Sequence, residues 1–96
     1  MTFSLLVKDK AEEDISEIFA WYEKQQKGLG VSFLDELDQV FSQLKRYPKS
    51  FAVRYRKVRM AIIRRFPFGV HYKFERRKIV VLAVLHTSSN PENWKL

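Results

Sequence analysis

FGVHYKFERRKIVVLAVLH, residues 68–86, changes its side-chain period twice. Phe68, Val70, Tyr72 and Phe74 alternate with Gly69, His71 and Lys73, the period of a strand with two unlike faces. ERRK (75–78) then reads as a charged hairpin turn, although it lacks the Asn-Gly pair of the tightest turns. IVVLAVLH (79–86) is apolar on both faces, so it is expected to be the most buried strand. Just upstream, VRYRKVRMAIIRRF (53–66) is both cationic and apolar. It predicts a strand over Val58–Phe66, with a shorter one over Phe51–Tyr55 leading into it. Pro67 argues against one unbroken central strand, because it has no N–H to give a ladder.

The first half has a different period. TFSLLV (2–7) is an apolar run of strand length. Asp9 is placed to cap a helix, with Glu12 at capping-box offset. Ala11, Ile15, Ile18, Phe19 and Tyr22 then recur at helical spacing. Gly28 is a natural stop. A second helix carries Phe33, Leu34, Leu37, Val40, Phe41 and Leu44 on one side and ends by Pro48. So short a link predicts an antiparallel helical hairpin. The order predicts an α+β fold: an N-terminal strand, then the hairpin packed on one face of a mainly antiparallel four-stranded sheet. The 96 residues, without repeat or linker, are read as a single domain, 1–96.

Charge divides the chain in the same place. Residues 1–44 hold nine acids and four lysines; residues 45–96 hold fourteen Lys or Arg and two Glu. An acidic helical layer should therefore meet a sheet whose outer face or rim carries the cations. Such excess positive charge draws polyanions or acidic proteins. Cysteine is absent, which excludes disulfides and thiolate metal sites. No run of 18 apolar residues implies a membrane span, and the N-terminus lacks a signal-peptide pattern. A cytoplasmic protein without membrane association is expected. His71 and His86 are the only histidines and lack helical ligand spacing, so neither a metal site nor a cofactor is expected.

Four segments together resemble the RelE/ParE superfamily of type II toxin–antitoxin toxins, on its ParE-like, plasmid-stabilisation branch. They are AEEDISEIFAWYEKQQKGLGVSFLDEL, the YP that follows, VRMAIIRRFPFGVHYKF and IVVLAVLHTSSNPENW. The resemblance covers essentially the whole chain. It implies a toxin neutralised by a cognate acidic antitoxin, assembled with it as a hetero-oligomer. ParE-like members poison DNA gyrase; RelE-like members cleave messenger RNA on the ribosome. Gyrase inhibition is the leading expectation. A ribosome-dependent endoribonuclease that needs no metal is the alternative, and an inactive member that only binds antitoxin is a third.

Ribonuclease chemistry would need a proton-transfer group and cations on the phosphate. The candidates are His86 for the proton, with Arg59 and Arg65 for charge. The resemblance places an Arg in the C-terminal loop where this chain has Ser89 in HTSSNP, and many ribonuclease members carry a Tyr near the C-terminus. Trp94 offers no hydroxyl in its place. Target and antitoxin contacts are expected from Arg56, Lys57, Arg59, Arg64, Arg65, Trp21, Ser89 and Asn90. Trp21 is included because it lies off the apolar stripe of its helix. His71 is given no special role. Ser88 and Ser89 show no His–carboxylate partner for a hydrolase triad.

Overall fold

The computed structural model describes residues 2–89; Asn90 and Trp94 lie outside the described residues. The elements run β1 (Ser4–Val7), α1 (Asp9–Gln25), α2 (Leu29–Arg46), β2 (Val53–Tyr55), β3 (Val58–Ile62), β4 (Phe68–Glu75) and β5 (Lys78–His86). The strands form one sheet in the order β1-β5-β4-β3-β2. The hairpins β2–β3, β3–β4 and β4–β5 are antiparallel, as expected. The sheet has five strands rather than four, and it is mixed. β1 adds to the free side of β5 in parallel, Leu5 opposite Ile79 and Val7 opposite Val81. Without β1 that side of the most apolar strand would present unpaired backbone groups, which are costly to bury.

The helices form as their apolar periods predict, but their ends are held differently. Lys8, not Asp9, is the N-cap of α1, and it makes no side-chain capping bond. Asp9 and Glu12 sit inside the first turn, where negative charge still favours the positive end of the helix dipole. At the start of α2 the Glu23 carboxylate accepts from the backbone N–H of Gly28 at 3.0 Å and of Gly30 at 2.8 Å. Those are orphan donors of a helix N-terminus. Gly28 has φ +89°, and a Cβ at Gly30 would stand 2.7 Å from the Phe19 carbonyl oxygen. The tight approach of the two helices depends on that missing atom.

Phe33, Leu37, Val40 and Leu44 of α2, with Ala11 of α1, pack against Ala61, Val70, Tyr72, Ile79, Val81 and Val84 of the sheet. The alternate positions do not carry the arginines. Val58, Met60, His71 and Ala83 are all buried there, His71 standing opposite Met60 on one side and Ala83 on the other. The pairing slips between His71 and Tyr72, leaving Leu82 of β5 as an extra residue. The slip explains why Ala83 and Val84 are buried in succession. One turn of chain further, Asp14 of α1 accepts from the Val84 N–H at 3.0 Å, beyond the end of β1.

The strand expected to reach Phe66 stops at Ile62. Arg64 and Arg65 lie in the β3–β4 turn, and Arg65 has φ +71°. Ile63 and Phe66 still enter the core. Pro67 cannot donate, so the ladder closes around it: Ile63 N–H reaches the Phe68 carbonyl at 2.8 Å. No helix among the described residues is long and apolar enough to cross a membrane.

Candidate functional site

The cations lie on the rim of the sheet, in its turns, and at two opposite ends. At one end, Arg56 and Lys57 make the whole two-residue loop between Tyr55 and Val58. Arg76 and Arg77 do the same between Glu75 and Lys78. All four have positive φ, from 40° to 66°, which defines type I′ turns. Arg77 also lies 5.2 Å over the ring of Phe3. At the other end are Arg64, Arg65 and His86.

Arg59 is between these ends and is already engaged. It is half-buried, and its guanidinium donates to the Phe51 carbonyl at 2.5 Å and the Lys49 carbonyl at 3.4 Å. Its register partner Tyr72, fully buried, donates its hydroxyl to the Pro48 carbonyl at 2.8 Å. Burial pushes the Tyr72 hydroxyl pKa up to about 12, so it remains a donor at any ordinary pH. Together the two side chains tie the segment after α2 to the sheet. Arg65 makes an ion pair with Glu36 at 3.3 Å and lies 5.9 Å over Phe66. Arg64 borders a groove of about 850 Å³ along α2, with Glu36, Gln39, Arg46, Tyr47 and Ile62.

His86 is exposed at the end of β5, edge-on to Phe68 with centroids 5.2 Å apart. Its Nδ1 accepts from the Ser88 N–H at 3.0 Å and lies 2.6 Å from the Ser88 hydroxyl. A serine–histidine contact therefore exists, although the sequence did not suggest one. Its backbone bond makes it a local turn, and among the described residues no carboxylate bonds the ring. Ser89 is half-buried, its N–H on the His86 carbonyl at 3.0 Å. Arg59 is level with Tyr72, and His86 is level with Phe68. That separates the two by about 13 Å along the strands. The proposed trio of His86, Arg59 and Arg65 is not brought together around one reacting atom.

Trp21 is 57% exposed on α1, beside Tyr22. Val7 of β1, Glu12, Ile15 and Phe19 of α1, and Leu34 and Phe41 of α2 line a largely apolar groove of about 350 Å³. His71, to which the sequence assigned no special role, belongs to the interior of the sheet. It is fully buried, with Nδ1 3.0 Å from the Tyr55 hydroxyl. Burial, then the charge of Arg54, pushes its pKa down to about 4. Strict alternation placed it on a polar face, and nothing local marks that face as covered. Among the described residues, no group of three His, Cys, Asp or Glu could hold a metal ion.

The helical hairpin laid on a five-stranded mixed sheet is a fold shared with solved chains of toxin–antitoxin systems. The chain is similar to the chromosomal ParDE toxin–antitoxin system from P. aeruginosa, with a TM-score of 0.77 at 19% identity over 88% of this chain and 96% of that one. It is also similar to the toxin–antitoxin complex RelBE2 from Mycobacterium tuberculosis (TM-score 0.62, 16% identity, 90% and 99% covered). A copper-bound mutant toxin from Helicobacter pylori gives a TM-score of 0.62 at 13% identity, with 90% and 96% covered. No curated protein matches by sequence. The family model for the ParE toxin of the type II toxin–antitoxin system, parDE, matches residues 5–91. The chain belongs to that family and is a ParE-like type II toxin.

Proposed function

We propose that this toxin acts in the cytoplasm by binding and inhibiting DNA gyrase, without chemistry of its own, and that a cognate acidic antitoxin neutralises it. The dispersal of the ribonuclease residues carries this reading. Arg59 is committed to two backbone carbonyls, Arg65 to Glu36, and the Nδ1 of His86 to Ser88. General acid–base cleavage needs those groups within hydrogen-bond reach of one phosphate. A binding toxin needs only surface, and the rim cations and exposed Trp21 supply it. The apolar groove on the helical hairpin and the cationic rim suit an acidic antitoxin with an amphipathic helix. The neighbouring ParDE system supports the partner class.

Purified toxin added in excess to gyrase and relaxed plasmid should block supercoiling, and His86→Ala should block it equally well. Undiminished supercoiling at excess toxin would sink the gyrase target. Cutting of messenger RNA on stalled ribosomes, lost in His86→Ala, would replace it with the ribonuclease reading.

A further inference from the structure

We infer that the hollow between the start of β1, the chain just after α2 and the β4–β5 turn is a docking site for an acidic protein segment that presents one aromatic or large aliphatic side chain. The site goes beyond the gyrase and antitoxin readings. It shares no lining residue with the groove on the helical hairpin, and either reading can fail without it.

The first observation is the cavity itself. Phe3, Tyr47, Pro48 and Phe74 line a hollow of about 690 Å³, beside Lys49, Ser50 and Arg77. A volume of that order takes a large side chain together with its neighbours. Phe3 and Phe74 are half-buried at the margin of the core and meet edge to face, with centroids 5.0 Å apart. Tyr47 is 62% exposed, the most of any large apolar residue described.

The second observation is that the wall is fixed. Buried Tyr72 donates its hydroxyl to the Pro48 carbonyl, and half-buried Arg59 donates to the carbonyls of Lys49 and Phe51. Ser50 closes a turn on the Tyr47 carbonyl, through its N–H at 3.0 Å and its hydroxyl at 2.7 Å. Phe3 is held by its own N–H on the Lys45 carbonyl at 2.9 Å. Polar side chains from the interior are thus committed to the segment that carries Tyr47. A wall set in advance loses little conformational freedom when a ligand arrives.

The third observation is charge. Lys49 and Arg77 line the hollow, and no acid does. Lys45, Arg46, Arg76 and Lys78 stand within two positions of the lining residues, and Glu75 is the one acid so placed. Arg77 serves as wall, since its guanidinium lies 5.2 Å over the ring of Phe3. Lys49 is exposed.

These features choose the ligand. A duplex would present phosphates and leave three rings in water. A single strand needs flat aromatic faces on which bases stack. Arg77 covers one face of Phe3, and Phe3 and Phe74 stand at 74° to one another, so the two rings cannot sandwich a base. A protein partner fills such a hollow with one anchor side chain ringed by polar contacts. Cations around the anchor call for carboxylates on either side of it.

The test uses the purified toxin and a fluorescein-labelled peptide with one tryptophan flanked on both sides by glutamates, read by anisotropy at low and physiological salt. Saturable binding is expected below ~1 mM, weakening as salt rises. Tyr47→Ala should weaken it about tenfold, and Tyr47→Phe should bind as the wild type does, because the ring is what packs on the anchor. Lys49→Glu should weaken binding and flatten its salt dependence. Both residues are exposed, so these variants should keep the wild-type melting temperature. Val31→Ala, exposed at the opposite end of α2, should keep the affinity. Replacing the peptide's tryptophan by alanine, or its glutamates by lysines, should abolish binding. Absence of saturable binding up to ~1 mM would overturn the inference. So would undiminished affinity in Tyr47→Ala and Lys49→Glu, or an equal loss in Val31→Ala, which would mean unselective adhesion. An oligothymidylate that displaces the peptide and binds more tightly would assign the hollow to single-stranded nucleic acid instead. Self-association of the toxin that Tyr47→Ala abolishes, without peptide binding, would assign it to a second copy of the chain.

Discussion

Acid should reach this fold through His71. The imidazole is fully buried, Tyr55 holds Nδ1, and burial with the charge of Arg54 outweighs the favourable charge of Asp14, Lys10 adding to the cost. The folded pKa is about 4, against 6.5 for the unfolded chain. Between those values the unfolded state binds the extra proton, so stability rises with pH there. The contribution is complete above the unfolded value and drains away as pH falls toward 4. At ~1.4 kcal/mol per unit the loss is about 3 kcal/mol. Wild type and His71→Gln should be unfolded in urea at pH 7 and pH 4; carboxylates common to both cancel. The wild type should lose about 3 kcal/mol more than the variant over that interval. The chain has two histidines, so imidazole NMR reads His71 directly, with exposed His86 as the internal comparison. A His71 that titrates near 6.5 in the folded protein would refute the reasoning.

Gly30→Ala should be the most disruptive single methyl in the helical layer. The added Cβ meets a backbone oxygen at 2.7 Å, which cannot rotate away, so the helices must part. A cost of about 2 kcal/mol should lower the melting temperature by roughly 10 °C. Tyr72→Phe removes the hydroxyl from the Pro48 carbonyl and should cost about 1–2 kcal/mol in urea unfolding. Faster proteolysis should then appear in the 47–51 segment rather than in the helices. Glu23→Gln keeps an acceptor oxygen but removes the charge from two helix-start donors, and should cost about 1 kcal/mol by thermal melting.

What could be read directly from residues was local. The stripe from Ala11 to Tyr22 and that from Phe33 to Leu44 give helices because each turn of helix brings the next apolar residue to the same side. The alternation from Phe68 to Phe74 gives β4 in the same way, and the acidic and basic halves become helical layer and sheet rim. The cap of α1 was misplaced by one residue because Asp9 is equally suited to the first turn, and Glu23 closes the start of α2 from seven residues before Gly30. Such a bond has no sequence period to betray it.

The site was less legible than the fold. Arg59 and Arg65 have the composition of a phosphate clamp, yet one holds the chain after α2 and the other pairs with Glu36. The strand expected to carry both of them, Val58–Phe66, ends at Ile62, where Pro67 forces the ladder to close early. His71 alternates with the apolar positions of β4, yet it is buried as they are.

The sequence by itself determined the elements, their order and the division of charge, since these follow from side-chain period, turn chemistry and the count of acids and bases. Only the tertiary structure decided that β1 joins β5 in parallel, that Leu82 slips the register, which cations are spent inside the fold, and that two cationic turns stand side by side at one end. Those outcomes depend on contacts between residues far apart in the chain, where the pairing is chosen by burial and backbone hydrogen bonding over the whole sheet rather than by any neighbouring residue.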